Sequence, residues 1–138
     1  MPIYKGTNEV TSGNLYKGST EIENGYKAAD SFYVNETTLT IIFVDNTATG
    51  SSLNSTSSAV FTGSPGSAFS TFSRSVNRTN GTYAVTGASV SEAGDSGNNV
   101  STSVSGSGNV SRNISISGTI PITTRTITLT VNSTVNTL

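Results

Sequence analysis

Apolar and polar residues take turns along much of this chain, with a period of two. Arg125, Ile127, Leu129 and Val131 alternate with three threonines, and Val110, Arg112, Ile114 and Ile116 alternate with serines and an asparagine. Side chains two apart share one face of a strand, so both runs read as half-buried strands. Thr38–Val44 (TLTIIFV) puts Leu39, Ile41 and Phe43 on one face and is rich in β-branched residues. That combination predicts a central strand.

Shorter strands and turns fill the intervals. Ala59–Thr62 reads as a strand stopped by Gly63-Ser64-Pro65-Gly66, a strong turn signal. Ala68–Val76 carries Phe72, Arg74 and Val76 in register, with Phe69 out of phase as a bulge or a late strand start would leave it. Asn80-Gly81 is a hairpin signal leading into Thr82–Val90, where Tyr83 and Val85 share a face. Val100–Val104 is a further strand, Gly106–Asn109 a tight turn, and Pro121 belongs in the connection before the last strand. Asp45–Ser58 and Glu92–Asn99 lack apolar periodicity and read as loops. The sum is about seven strands over about 100 residues, at the turn spacing of a β-sandwich and with no helical period. The expected class is all-β.

The first 36 residues follow a different rule. Tyr4-Lys5-Gly6, Tyr16-Lys17-Gly18 and Tyr26-Lys27-Ala28 recur, and the first two are followed by Glu9-Val10 and Glu21-Ile22. A period this short fits one small β-hairpin or solenoid rung per copy. All three lysines, and four of the five tyrosines, lie in this stretch. Two modules follow: an N-terminal β repeat module over residues 1–36 and a sandwich over 37–138. An extended Tyr-Lys pair points its side chains to opposite faces, so the copies would build a tyrosine row. Tyrosine is enriched where interfaces carry their binding energy. Tyr4, Lys5, Tyr16, Lys17, Tyr26 and Lys27 are therefore the candidate partner-binding residues. A module this small needs either the sandwich or another subunit to hold it.

Composition narrows the function classes. Hydrophobic residues make up 33% and charged residues 11%, with a net charge of −1. Charge this low argues against a disordered chain, and the lack of a basic cluster argues against a nucleic-acid partner. No apolar run approaches the roughly 18 residues of a membrane span, and the N-terminus does not read as a secretory leader. Without cysteine or histidine there is no disulfide framework, and no Ser–His or Cys–His nucleophile system. An exposed, extracellular type of β domain with no export segment suits a particle assembled in the cytoplasm and released by lysis.

Few residues invite chemistry. Glu92 and Asp95 are close enough in sequence for a carboxylate pair, and with Asn98 and Asn99 they offer oxygen ligands for Ca²⁺. Their spacing matches no calcium loop and no aromatic flanks them, so a solvated turn is the expectation. No catalytic, metal or cofactor residue is assigned, and no enzyme is expected. The Asn-x-Ser/Thr triplets at Asn54, Asn77, Asn80, Asn99, Asn109 and Asn113 follow from the composition. Arg112 and Arg125 lie on otherwise apolar strand faces. They would serve either in an inter-subunit ion pair or, as expected here, at strand ends reaching into water.

The units Tyr4–Val10 and Tyr16–Ile22, of the form Tyr-Lys-Gly-Ser/Thr-x-Glu-Ile/Val, resemble short N-terminal repeats of tailed-phage virion structural proteins. Phe61–Phe69, Gly106–Asn109 and Ile116–Pro121 resemble stretches of the bacterial immunoglobulin-like (Ig-like) domains carried by phage capsid decoration and tail proteins. Gly81-Thr82-Tyr83-Ala84-Val85 is similar to the tyrosine corner of such folds, with Val85 where many of them have cysteine. The resemblance implies an Ig-like β-sandwich and a non-enzymatic virion protein on the particle surface. A capsid decoration or cement protein, oligomeric on the major capsid protein lattice, is the first expectation. A tail accessory or fibre-type protein, trimeric in one form, is the alternative, and so is an adhesion module for host surface glycans.

Overall fold

The computed structural model describes residues 36–138 in full and, before them, the backbone of residues 3–5, 8–10, 16–17 and 20–21. The chain divides into two units, Met1–Asn35 and Glu36–Leu138. In the first, β1 (Ile3–Lys5) pairs antiparallel with β2 (Asn8–Val10), and β3 (Tyr16–Lys17) with β4 (Thr20–Glu21). Each of the first two sequence copies thus folds its backbone into one small hairpin.

The second unit has eight strands: β5 (Thr37–Asn46), β6 (Ser51–Leu53), β7 (Ala59–Gly63), β8 (Phe72–Arg78), β9 (Tyr83–Ala93), β10 (Val100–Ser105), β11 (Ser111–Gly118) and β12 (Arg125–Thr137). They form two four-stranded sheets, ordered β10-β11-β8-β6 and β7-β5-β12-β9. Every neighbouring pair is antiparallel except β5 and β12, which run parallel from Leu39 opposite Arg125 to Asn46 opposite Asn132. No helix occurs among the described residues.

The period-two pattern places the core. Leu39, Ile41 and Phe43 of β5 and Ile127, Leu129 and Val131 of β12 are buried, and the threonines between them face outward. Val76, Ile114 and Ile116 from the other sheet complete the same apolar cluster. One end of the cluster is aromatic. Phe61 stacks on Phe69 with ring centroids 4.5 Å apart, and Phe43 meets Phe72 edge to face at 6.0 Å. These are the preferred geometries of ring pairs.

Two expectations change. The stretch 45–58 is not one loop, because it contains β6, an edge strand that seats Leu53 in the core. Three residues are too few to show a period, and a carboxylate rather than apolar patterning fixes the strand. The N–H groups of Thr47 and Leu53 donate to Asp45 Oδ1 and Oδ2, both at 3.0 Å. Buried Ser51 then donates to the Ala48 carbonyl and meets the Ser133 hydroxyl at 2.7 Å, tying β6 to β12 across the layers.

Asn80-Gly81 does not close a hairpin either. It joins β8 to β9, which lie in different sheets. Neither residue has the positive φ that a two-residue hairpin of this kind requires. Instead Asn80 Oδ1 accepts the Thr82 N–H at 2.8 Å, an Asx turn that carries the chain from one layer to the other. The out-of-phase Phe69 precedes the strand: β8 begins at Phe72, while Phe69 is buried beside the single bridge Ala68–Thr119.

Candidate interaction surfaces

The six partner-binding candidates lie in the first unit. Tyr4 and Lys5 fall within β1, where Tyr4 is opposite Glu9 and Lys5 opposite Asn8. Tyr16 and Lys17 form β3, with Tyr16 opposite Glu21 and Lys17 opposite Thr20. The twelve-residue repeat therefore recurs as a pairing: tyrosine across from glutamate in both hairpins. Tyr26 and Lys27 lie outside the described residues.

In the sandwich, the side chains with chemical potential serve the backbone. Asp95 Oδ1 accepts the Asn99 N–H at 2.7 Å and its Oδ2 accepts the Val100 N–H at 2.9 Å. Both carboxylate oxygens that a cation would seek are thus engaged in closing the β9–β10 loop, where Asn98 takes a positive φ of 50°. Burial, and then the neighbouring Asp95, push the Glu92 carboxyl above its ordinary value. No group of three or more acidic, histidine or cysteine side chains converges among the described residues. Asn54 also faces a backbone partner, its Oδ1 accepting the Ser75 N–H at 2.9 Å.

Arg112 and Arg74 bind carbonyls. Arg112 donates to Gly108 and Ser111 within its own sheet, and through its second terminal nitrogen to Thr86 of the other sheet at 3.0 Å. Thr86 is the extra residue of a bulge in β9, where the register with β12 shifts between Thr134 and Val135. Arg112 is therefore an inter-sheet staple, which neither sequence alternative anticipated. Arg125, at the first position of β12, donates to the Ser96 hydroxyl at 3.0 Å.

Arg74, which the sequence placed in register with Phe72 and Val76 without a role, lies 4.7 Å from the Phe43 ring centre and 5.2 Å from that of Phe72. It donates to the carbonyls of Ser73 and Ser57, and its buried Nε has no partner. Tyr83 makes no hydroxyl hydrogen bond of the tyrosine-corner kind among the described residues. Its ring covers Gly50, where a Cβ would stand 2.5 Å from the ring at a φ of +97°.

The outer faces of the two sheets carry no charge along their paired rows. On the β8 sheet the outward positions are serine and asparagine, as in the row Ser103–Ser115–Ser73 and the row Ser105–Asn113–Ser75. On the β12 sheet they are mostly threonine, valine and isoleucine, as in Val60–Thr40–Thr126, Ile42–Thr128–Ala93 and Val44–Thr130–Ser91. Ile42, Val44 and Val60 are 38%, 41% and 59% exposed. The signal was present in the sequence, since the polar half of each alternating run is uncharged throughout. It becomes a surface only once strand order sets the rows side by side.

Comparison with family models, with curated proteins and with solved structures finds no match for the chain.

Proposed function

We propose that this chain is a non-enzymatic structural protein of a tailed-phage virion, a capsid decoration or cement protein whose repeat unit docks on the major capsid protein lattice and whose sandwich projects from it. The observation that carries the reading is the repeated hairpin register, Tyr4 opposite Glu9 and Tyr16 opposite Glu21. The repeat of spacing in the sequence is thus also a repeat of backbone pairing, which supports a purpose-built unit of recurring docking elements. In the sandwich, the Asp95 carboxylate and the Arg112 guanidinium are engaged with backbone, which suits a structural part.

The sandwich has two four-stranded layers, and we take it as a relative of Ig-like domains in layering with its own strand order. Ig domains keep the last two strands adjacent, whereas here β11 and β12 lie in different sheets. The tyrosine–lysine pairs are the docking residues of this proposal, and no cofactor takes part.

The test is incorporation. Phage carrying a chain that lacks residues 1–35 should produce the folded sandwich in the lysate but not on the particle. Wild-type protein should be present at hundreds of copies per virion, and its loss should lower the resistance of capsids to heat. Incorporation of the truncated chain would place docking on the sandwich. Tens of copies or fewer, with intact capsids that fail to adsorb, would support a tail part or a glycan-binding module instead.

A further inference from the structure

The two outer faces of the sandwich differ in one respect that bears on partners. Both lack charge, but serine and asparagine have little to gain from leaving water, whereas the methyl groups of threonine, valine and isoleucine do. Burying such a face is costly only if its polar groups lose their partners. On the β12 sheet some of them already have partners within the face. The hydroxyls of Thr38 and Thr62 lie 2.9 Å apart, and Asn46 Nδ2 donates to Asn132 Oδ1 at 2.6 Å. Those groups stay paired if a second surface covers them.

We infer that the outer face of the β12 sheet, centred on Ile42, Val44, Thr128 and Thr130, is a contact between two copies of this chain, packed sheet on sheet. Charge complementarity selects that partner. An ordinary protein surface is roughly 25–35% charged, and this face offers no counter-ion to the charges it would desolvate. The chain's own face is neutral and methyl-bearing. Related by a two-fold axis, two such faces oppose no like charges, and they can pack at the roughly 10 Å spacing of stacked sheets.

Area sets the strength. With at most three strands side by side in any row, the paired positions, about 4.8 Å by about 3.3 Å each, sum to a face on the order of 500 Å². Two copies would cover on the order of 1,000 Å², at the lower limit for a specific contact. The pairing is therefore weak and concentration-dependent. It does not depend on the virion reading, and it would hold for the protein in free solution.

Sedimentation velocity on the full chain across a concentration series tests this. The wild type should shift from monomer to dimer as concentration rises. Thr128→Lys, and separately Val60→Lys at a site already 59% exposed, should weaken association at least about tenfold by placing like charges across the two-fold contact. Ser115→Lys, on the opposite face, should leave it unchanged. Circular dichroism melting establishes that each variant is folded, and Val60→Lys serves if Thr128→Lys is not. A wild type that stays monomeric throughout the series would overturn the inference. So would undiminished association in the folded lysine variants, or an equal loss in Ser115→Lys.

Discussion

Asp45 holds Leu53 by its backbone, the Leu53 N–H donating to Asp45 Oδ2 at 3.0 Å, and an edge strand exists because of it. The other carboxylate oxygen takes both the N–H and the hydroxyl of Thr47. One side chain thus turns the chain out of β5 and delivers it to the edge of the opposite sheet.

Asp45→Ala should lower stability by roughly 1–2 kcal/mol, the usual effect of removing hydrogen bonds to a partly exposed charged group. Chemical denaturation, with the midpoint and slope compared to wild type, measures it. Asp45→Asn, which keeps one acceptor oxygen, should recover part of the loss. Burial raises the Asp45 carboxyl, but the Thr47 hydroxyl and the Leu53 and Thr47 amides outweigh it, so the folded value lies below the ordinary 3.8. Stabilisation by the ionised form is accordingly complete above the unfolded value near pH 4. It is lost as pH falls through the lower folded value.

Glu92 should show the opposite sign. Burial first, and Asp95 second, raise its carboxyl above the ordinary 4.5. Protonation therefore favours the folded state. That contribution is present in full below the unfolded value and disappears as pH rises through the folded one. Glu92→Gln should raise the melting temperature slightly at pH 7 and leave it unchanged near pH 3. An equal effect at both pH values would show that charge is not the cause.

Arg74 tests the aromatic end of the core. Arg74→Ala removes a cation over two rings and two hydrogen bonds to carbonyls, and should cost roughly 2–3 kcal/mol by urea denaturation. Arg74→Lys keeps the charge but cannot reach Ser57 and Ser73 with a planar fork, so it should retain less than half of that stabilisation.

Gly118 is the backbone test. Its φ is +156°, and a Cβ there would lie 1.9 Å from the Asn99 carbonyl oxygen. Gly118→Ala has to displace a main chain that cannot yield cheaply. A loss of about 3 kcal/mol or more, or failure to fold, is expected from thermal melting. Gly66→Ala is the informative contrast, since its φ of +86° is also positive but nothing lies within 4 Å of its Cβ. It should cost about 1 kcal/mol from conformation alone.

The strands legible in the sequence were those with one face in the core and one in water: Leu39-Ile41-Phe43, Ile114-Ile116 and Ile127-Leu129-Val131 were read with the correct face inward. A period of two says nothing about which sheet a strand joins. Asn80-Gly81 therefore looked like a hairpin when it is a crossing between layers, and β6 was hidden inside a loop that one carboxylate organises. The surfaces were half legible. The Tyr-Lys repeat was visible as spacing, and its opposition to glutamate appeared only with the hairpin register. Arg112 and Arg74 could not be placed, because their partners are carbonyls brought near by folding.

The parallel pairing of β5 and β12 has a mechanical consequence. The two strands start at the same end of the sandwich, eight residue pairs in register, so Thr37 and the far end of β12 lie toward opposite poles. Tension between those points pulls β5 and β12 in opposite directions along their shared length. The hydrogen bonds between them are then loaded together in shear and do not open one at a time from an end. A domain wired this way resists extension along its axis, and single-molecule stretching between Glu36 and Thr137 would register it as a high, abrupt rupture force.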